Sequence, residues 1–529
     1  TCAAEKRRRR KRGAFPDPER RIFIDPDICE GCGDCGVQSN CVSILPLETE
    51  FGRKRAVDQS ACNKDYTCVT GFCPSFVSVE GGVPRKAAGM DIELGTLPEP
   101  VMLVINGTHN VVITGIGGLG VVTVGANIAM AAHLDGKGAG MMEMAGLAQK
   151  GGAVHIHIRL AEQPGDIAAI RVATGEADTL IGGDLVVSAG PHTMGLTTTG
   201  RTKAVVNTHE VMTGAFTRDT GFRLPGDRLQ VSLEARLKDG LTKFDATALA
   251  KTVLGDAIYT NILLLGAAWQ AGHLPLSGAA LREAMRLNGV DVEANVRAFD
   301  IGRWAVVHPA KVAEILAKDT PKARTLDERI AVRAAHLTAY QSARLAQRYR
   351  ALVDPIADPV LKEAVATGYH KLLSYKDEYE VARLLGETRA KAEAAFDGDL
   401  KLQYHLAPPL LAGADGEGRP KKRAFGAWAE RVWPVLARLK WLRGTPIDPF
   451  GYTGERRMER QLIRAYERDM ARVLASPERA PEAARALAAL PLDIRGFGPV
   501  KAANAHRAAQ RREELLKAFD QGESQLAAE

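Results

Sequence analysis

The 529-residue sequence predicts a multidomain α/β plus α chain in three parts: a small cysteine-rich module, an α/β domain and a mostly helical C-terminal domain. Three observations predict it. Seven of the eight cysteines fall between Cys29 and Cys73, with only Cys2 outside. From about 101 to 305, short apolar runs alternate with helical segments, as in α/β domains. Beyond that point the strand-like runs vanish and Ala, Arg, Leu and Glu dominate. The expected divisions are a basic leader at 1–20, the cysteine module at 21–80, a Pro/Gly-containing connection at 81–100, the α/β domain at 101–305 and the helical domain at 306–529.

Apolar content of 46% and charged content of 25% are ordinary for a soluble globular protein. No apolar window is long enough for a membrane span, and no secretion signal opens the chain, so a cytoplasmic location is expected. The first residue is Thr1, not Met, which points to a fragment of a longer chain. Much of the net charge of +7 sits in Lys6 to Arg12, "KRRRRKR". This run reads either as a solvated, flexible arm or as a patch that steers an acidic protein partner. No groove-reading motif follows it, so no nucleic-acid partner is expected.

The module's first run is "CEGCGDCGVQSNC", giving Cys29-x2-Cys32-x2-Cys35-x5-Cys41. Structural zinc prefers separated cysteine pairs, whereas three thiolates at x2 spacing on a Gly-rich loop wrap one corner of an iron–sulfur cluster. The second run, "CNKDYTCVTGFCP", gives Cys62-x2-Asp65-x2-Cys68-x4-Cys73-Pro74, close to the bacterial ferredoxin pattern C-x2-C-x2-C-x3-C-P, but with Asp65 where a cysteine belongs and one residue more before Cys73. In two-cluster ferredoxins the last cysteine of each run ligates the other cluster. On that pattern Cys29, Cys32, Cys35 and Cys73 hold one [4Fe–4S] cluster. Cys41, Cys62 and Cys68 remain for a second, with Asp65 either a hard, weakly held ligand or a surface residue beside a single-cluster module. The x5 spacing before Cys41, and the lack of Pro after it, depart from the pattern. Ile28, Ile44, Phe72 and Phe76 are the expected apolar shell.

In the α/β region, Val111 to Thr114 reads as a buried strand, Gly115 to Gly120 as a tight turn and Val121 to Leu134 as a helix. Gly115-x-Gly117-x-x-Gly120 matches the dinucleotide fingerprint in a strand–turn–helix context, although the acidic residue expected about 20 positions on is found only as Glu143. Close helix–strand packing explains the glycines equally well. "DLVVSAG", 184–190, reads as another buried strand. In "VHIHIR", Val154, Ile156 and Ile158 face one way and His155, His157 and Arg159 the other. No third ligand is spaced nearby, so this polar face reads as the lining of a cleft that Lys150 and Arg159 make anion-friendly. In the helical part, Thr325 with Glu328 forms a capping box. Ile330, Ala334, Leu337 and Leu345 form one apolar stripe, and Met458, Leu462, Tyr466 and Met470 another.

With the cysteine runs and the glycine turn in place, the chain resembles the iron–sulfur and C-terminal portion of fused-chain indolepyruvate:ferredoxin oxidoreductases, within the thiamine-dependent 2-oxoacid:ferredoxin oxidoreductase family. The strings carrying the resemblance include "TGIGGLGVVTVG", "AGLAQKGGAV", "LNGVDVEANVRAF", "YKDEYEVARL", "HLAPPLL", "RGTPIDPFGY" and "RGFGPVK". The resemblance implies oxidative decarboxylation of an arylpyruvate on thiamine diphosphate with Mg. It further implies single-electron transfer through [4Fe–4S] clusters to ferredoxin, acyl transfer to coenzyme A, and a homodimer. It makes 101–305 a gamma-type domain, with Gly115, Gly117, Gly120, Gln149, Lys150 and Arg159 as the residues of its cleft. The Gly-Asp-Gly and Asn-Asn elements that bind the thiamine cofactor in this family occur nowhere in the sequence. The resemblance places them on an upstream part. Two other readings stand beside it: an iron–sulfur dehydrogenase module using a dinucleotide at Gly115–Gly120, and an electron carrier without catalysis of its own.

Overall fold

The computed structural model describes residues 3–11, 13–85, 88–117, 120–145, 152–212, 214–217, 219, 221–319, 324–408, 413 and 421–522. The chain forms two compact units, one of Thr1–Arg85 with Lys322–Glu529 and the other of Lys86–Pro321.

The first unit opens with helix α1 (Ala3–Lys11). Strand β1 (Arg21–Ile24) and the short helix α2 (Asp34–Ser39) follow. Strands β2 (Ile44–Leu47) and β3 (Lys54–Val57) form a hairpin. Strand β4 (Phe76–Glu80) returns antiparallel to β1, and β5 (Val83–Pro84) ends the segment. The seven cysteines from Cys29 to Cys73 lie between β1 and β4, Cys35 on α2, Cys68 on a 3-10 turn (Thr67–Thr70) and the others on the connecting loops.

The second unit is built on a six-stranded sheet. Its strands are β6 (Thr108–Ile116), β7 (Gly138–Ala145), β8 (Ala153–Ala161), β9 (Thr179–Gly182), β10 (Lys203–Asn207) and β11 (Leu241–Phe244), in the spatial order β11-β10-β9-β6-β8-β7. From β11 to β6 the strands run parallel, while β8 is antiparallel to both β6 and β7. Strand alternation sends Val111, Ile113 and Val205 into one core and Val112, Ala204 and Val206 into another, so both sheet faces are covered. Helix α3 is Val121–Leu134, as the sequence pattern predicts. "DLVVSAG" is not a strand. The strand is the preceding β9, and Asp184 caps helix α4 (Leu185–Ser188) by accepting the Val187 N–H at 2.9 Å. A side-chain cap outweighs the β preference of two valines here.

Helices α5 (Pro191–Leu196), α6 (Gly226–Leu237), α7 (Ala246–Leu254), α8 (Thr260–Gln270), α9 (Gly278–Asn288) and α10 (Val292–Val307) complete the layers with Pro309–Asp319. The division expected after residue 305 falls inside α10, and the compact unit runs on to Pro321. Helices α8 and α10 cross at paired glycines. A Cβ on Gly266 would lie 1.9 Å from the Phe299 carbonyl oxygen, and one on Gly302 1.9 Å from that of Leu263.

The C-terminal segment is mostly helical, and the Thr325–Glu328 capping box forms as expected. Ile330, Ala334, Leu337, Tyr466 and Met470 are buried in its core, against which Leu345, Met458 and Leu462 pack. It is not a separate helical domain. Its strand Lys401–Leu406 pairs antiparallel with β4 and with Arg423–Phe425, extending the β1-β4 sheet to four strands, and Phe396–Asp397 pairs with β5. Sequence periodicity misses this because a strand's neighbours are set by tertiary pairing, not by local pattern.

We expect Gly302→Ala to lower stability by about 1–3 kcal/mol, because the clash falls on rigid backbone and outweighs the ~1 kcal/mol that alanine gains over glycine in a helix. Chemical denaturation of the two proteins checks this.

Candidate functional site: two sets of cysteines

Cys29, Cys32, Cys35 and Cys73 line one small cavity with Arg55, Phe76 and other residues. The loop that presents them is pressed against β3. Gly31 adopts φ 67°, and a Cβ there would lie 2.0 Å from the Arg53 carbonyl oxygen, so only glycine fits. This turn lets the Gly31 N–H reach the Cys29 sulfur at 3.3 Å. Ile28 and Phe76 are fully buried beside the thiols.

Burial, reinforced by the neighbouring Cys73, pushes the Cys32 thiol up to about 12, and it raises Cys35 and Cys73 as well. These thiols cannot ionise together without compensating positive charge. Cations stand around them. Arg55 is 2% exposed. Burial holds buried Lys54 down to about 7 and Lys376 to about 8, while the neighbouring Cys29 opposes both shifts. Lys376 donates to the carbonyls of Asp27, Ile28 (3.1 Å) and Cys29 (3.3 Å) and pairs with Glu30 at 3.0 Å. Lys422 donates to the Cys73 carbonyl at 3.1 Å.

Cys41, Cys62 and Cys68 form the second set. Burial, then Cys41, Cys62 and Asp65, raise the Cys68 thiol to about 12, which brings these four residues into one electrostatic neighbourhood. The Lys64 N–H reaches the Cys62 sulfur at 3.3 Å. Asp65 is exposed, and its Oδ1 accepts from the Thr67 N–H at 3.2 Å and the Thr67 hydroxyl at 2.9 Å, fixing the turn that carries Cys68. The basic leader is not a free arm. Helix α1 lies along the Cys62 loop, with Arg7 donating to the Ala61 carbonyl at 3.2 Å and Arg10 to that of Asn63 at 2.6 Å.

Among the described residues no three His, Cys, Asp or Glu side chains converge as a single metal ion requires. A tetrahedral zinc would draw its sulfurs to about 2.3 Å from one point. The four thiols of the first set line one small cavity, and their all-sulfur character would suit iron–sulfur ligation.

In the described part of the glycine turn, Gly115 is committed to packing and Gly117 to a backbone hydrogen bond. A Cβ on Gly115 would lie 2.5 Å from Val121 Cγ2, and the Gly117 N–H donates to the Gly152 carbonyl at 2.9 Å. Gly120, at φ 88°, starts α3. Glu143 lies on β7, separated from β6 by β8. A dinucleotide fold needs its acidic residue on the strand beside the glycine turn, so the sheet order counts against that reading. Arg159 is committed to Glu176 at 2.7 Å and to the Arg171 carbonyl at 3.2 Å. Gln149 and Lys150 lie outside the described residues. The polar face of β8 is covered: His157 is fully buried, its Nδ1 accepting the Val172 N–H at 3.0 Å, and His155 bonds Thr193 Oγ1 at 3.1 Å. The sequence reading missed His192, whose ring stands 4.5 Å from that of His155, because helix α5 brings it from outside the strand.

Two family models match. Residues 326–514 match a family of unknown function (DUF6537), and residues 110–305 match the pyruvate ferredoxin/flavodoxin oxidoreductase family. Subunit IorB of indolepyruvate oxidoreductase from Thermococcus kodakarensis is 28% identical over 212 residues, covering 37% of this chain and 94% of the relative. IorB from Pyrococcus horikoshii is 28% identical over 209 residues, again covering 37% and 94%. Over about 37% of its length the chain is similar to the IorB subunits of indolepyruvate oxidoreductases. A keto/oxoacid ferredoxin oxidoreductase gamma subunit from Geobacter sulfurreducens aligns over 38% of this chain and 98% of its own, with 22% identity and a TM-score of 0.28. All seven described cysteines lie outside both family matches.

Burial holds His155 and His157 at about 4, against 6.5 when free. Between those values the unfolded chain binds protons that the folded chain does not, so stability falls as pH drops through this window. Thermal unfolding midpoints from pH 7 to pH 4.5 should decline, and His157→Gln should flatten the decline.

Proposed function

We propose that the chain is the electron-transfer and gamma/C-terminal part of an indolepyruvate (arylpyruvate):ferredoxin oxidoreductase, in which electrons from oxidative decarboxylation of a 2-oxoacid pass singly through iron–sulfur clusters to ferredoxin. The observation that carries this reading is the partition of the thiols: Cys73, from the second run, joins Cys29, Cys32 and Cys35 from the first. Cys41, from the first run, acts electrostatically on Cys68 together with Cys62, from the second. That is the crossed pattern of two-cluster ferredoxins.

In this reading Cys29, Cys32, Cys35 and Cys73 hold a [4Fe–4S] cluster, and Cys41, Cys62 and Cys68 hold a second with Asp65 at its open corner. A bound cluster supplies one-electron acceptance and donation. The chain's residues do the rest. Arg55, Lys54, Lys376 and Lys422 balance the negative charge of the first set, and Ile28 and Phe76 keep water away from it. Arg7 and Arg10 of α1 clamp the Cys62 loop and set positive charge beside the second set, where an acidic ferredoxin would dock. Thiamine diphosphate, Mg and coenzyme A belong with a partner or segment that carries Gly-Asp-Gly and Asn-Asn, which these 529 residues lack.

Iron and acid-labile sulfide on anaerobically purified protein should come to about eight each per chain, or seven iron and eight sulfide where the Asp65 corner is lost; about four of each removes the second cluster. Cys32→Ala should lose the first cluster's iron and abolish ferredoxin reduction. Wild-type reduction rates in that variant would sink the assignment. Asp65→Cys should raise iron retention, and unchanged iron content would leave Asp65 as a turn residue alone.

A further inference from the structure

Exposed apolar side chains on a folded surface are ordinarily scattered singly. Here six come from one short stretch: Trp428, Val432, Val435, Trp441, Ile447 and Tyr452 are each 42–67% exposed. The stretch has two faces. Ala429 and Trp433 are buried, and Trp433 and Leu436 line a cavity of about 400 Å³ beside Cys73. Four distant strings that carry the resemblance meet on that cavity, at Lys376, Leu406, Phe450 and Phe497. On the other face Trp428, Arg431, Val432, Val435 and Arg438 recur at the three- and four-residue steps of one helix side, and all five are exposed.

The loop that follows repeats the arrangement. Asp448 is buried and accepts from the Tyr379 hydroxyl at 3.0 Å and from the Gly444 and Phe450 N–H groups at 3.0 and 3.1 Å. Pro446, Ile447, Pro449 and Tyr452 are left outside. Phe450 of this loop borders the same cavity as Leu436, so the two exposed runs are neighbours. The charge is one-sided. Between 421 and 452 the acids are Glu430 and Asp448. Glu430 is taken up by Arg389 at 2.8 and 2.9 Å and by Tyr404 at 2.9 Å. The exposed charge of this stretch is therefore positive, at Lys421, Arg423, Arg431 and Arg438. Complementarity calls for an anionic surface and disfavours a second copy, whose face is equally positive. A protein interface gathers its apolar groups in a centre depleted of charge. Here Arg431 and Arg438 alternate with the apolar side chains along the run. Trp, Tyr and Arg interleaved in this way suit the headgroup level of a bilayer, where apolar bodies and polar tips are both satisfied.

We propose that the face at 428–452 is a peripheral membrane-binding surface that seats this chain on anionic phospholipid. Trp428, Trp441 and Tyr452 enter the headgroup layer with Val432, Val435 and Ile447. The four exposed cations pair with lipid phosphates, each worth about fivefold in partitioning. The contact is peripheral: among the described residues no helix is long and apolar enough to cross a membrane. Nothing in this inference rests on the cluster reading above.

The test uses the full chain and vesicles of phosphatidylcholine, alone or with about 30% phosphatidylglycerol to supply the negative surface. Cosedimentation should show binding to the mixed vesicles, and its loss on phosphatidylcholine alone and at high salt. The chain has five tryptophans, of which Trp269, Trp304 and Trp433 are buried. Brominated lipid should therefore quench the emission of Trp428 and Trp441 alone. Trp428→Ser with Trp441→Ser should remove the quench and the binding. Arg431→Glu with Arg438→Glu should weaken binding at least about 25-fold, two cations at fivefold each. Both double variants should keep the wild-type unfolding midpoint, because all four side chains are exposed. Val360→Ser, at an exposed apolar residue on another helix, should bind as wild type does. Failure of wild type to bind the mixed vesicles, binding without the quench, or wild-type affinity in either double variant overturns the proposal. Binding of polyglutamate in place of vesicles, with the same arginine dependence, also overturns it and makes the face a protein-docking one.

Discussion

Strand β4 has a neighbour on each side, and the cysteine module depends on both. On one side is β1, from the same segment; on the other is Lys401–Leu406, more than 300 residues away. The junction is fastened by polar groups inside the sheet: Ser78 Oγ lies 2.8 Å from His405 Nε2 and accepts from Arg20 at 2.9 Å. Without the distant strand, β4 would present an open edge directly beside Cys73. Here the C-terminal segment supplies the closure. That segment also brings Lys376 and Lys422 to the carbonyls of the cysteine loops, and places Gly496 where an added Cβ would lie 3.4 Å from Cys32 Cβ.

The same closure explains the many buried charges in this unit. Lys371 and Lys376 converge on Glu30, and Lys501 and Arg456 converge on Glu459. Burying an ion costs several kcal/mol, and pairing only partly offsets it. Such networks are poor sources of stability but define geometry sharply, because each member must find its partner. Around the first set of thiols, the cations are depressed by burial and the thiols are raised by it. Each group favours the ionisation of the other, so the loop is prepared for charged sulfur.

The α/β unit was legible in outline. Helix α3 and the β6 and β8 strands follow from periodicity, because both helix and strand bury a repeating face there. The glycine turn was legible as a turn but not as a site: a packing glycine and a ligand-binding glycine leave the same letters, and only the sheet order, with β8 between β6 and β7, distinguishes them. The covered face of β8 was misleading for a similar reason. Alternation places His157 opposite the apolar core of that strand, yet a second layer of structure buries it.

By itself the sequence determined the thiol spacing, the capping box at Thr325, the helix after Gly120 and the absence of Gly-Asp-Gly and Asn-Asn, all of which are local properties of the chain. The tertiary structure alone decided that α1 lies on the Cys62 loop, that 322–529 completes the cysteine module, and that four distant strings enclose a cavity against Cys73. The physical reason is the range of the forces involved. Helix propensity, caps and ligand spacing act over a few residues. Strand pairing, the seating of buried charges and the walls of a cavity join groups hundreds of residues apart, and no local pattern records which partner each will find.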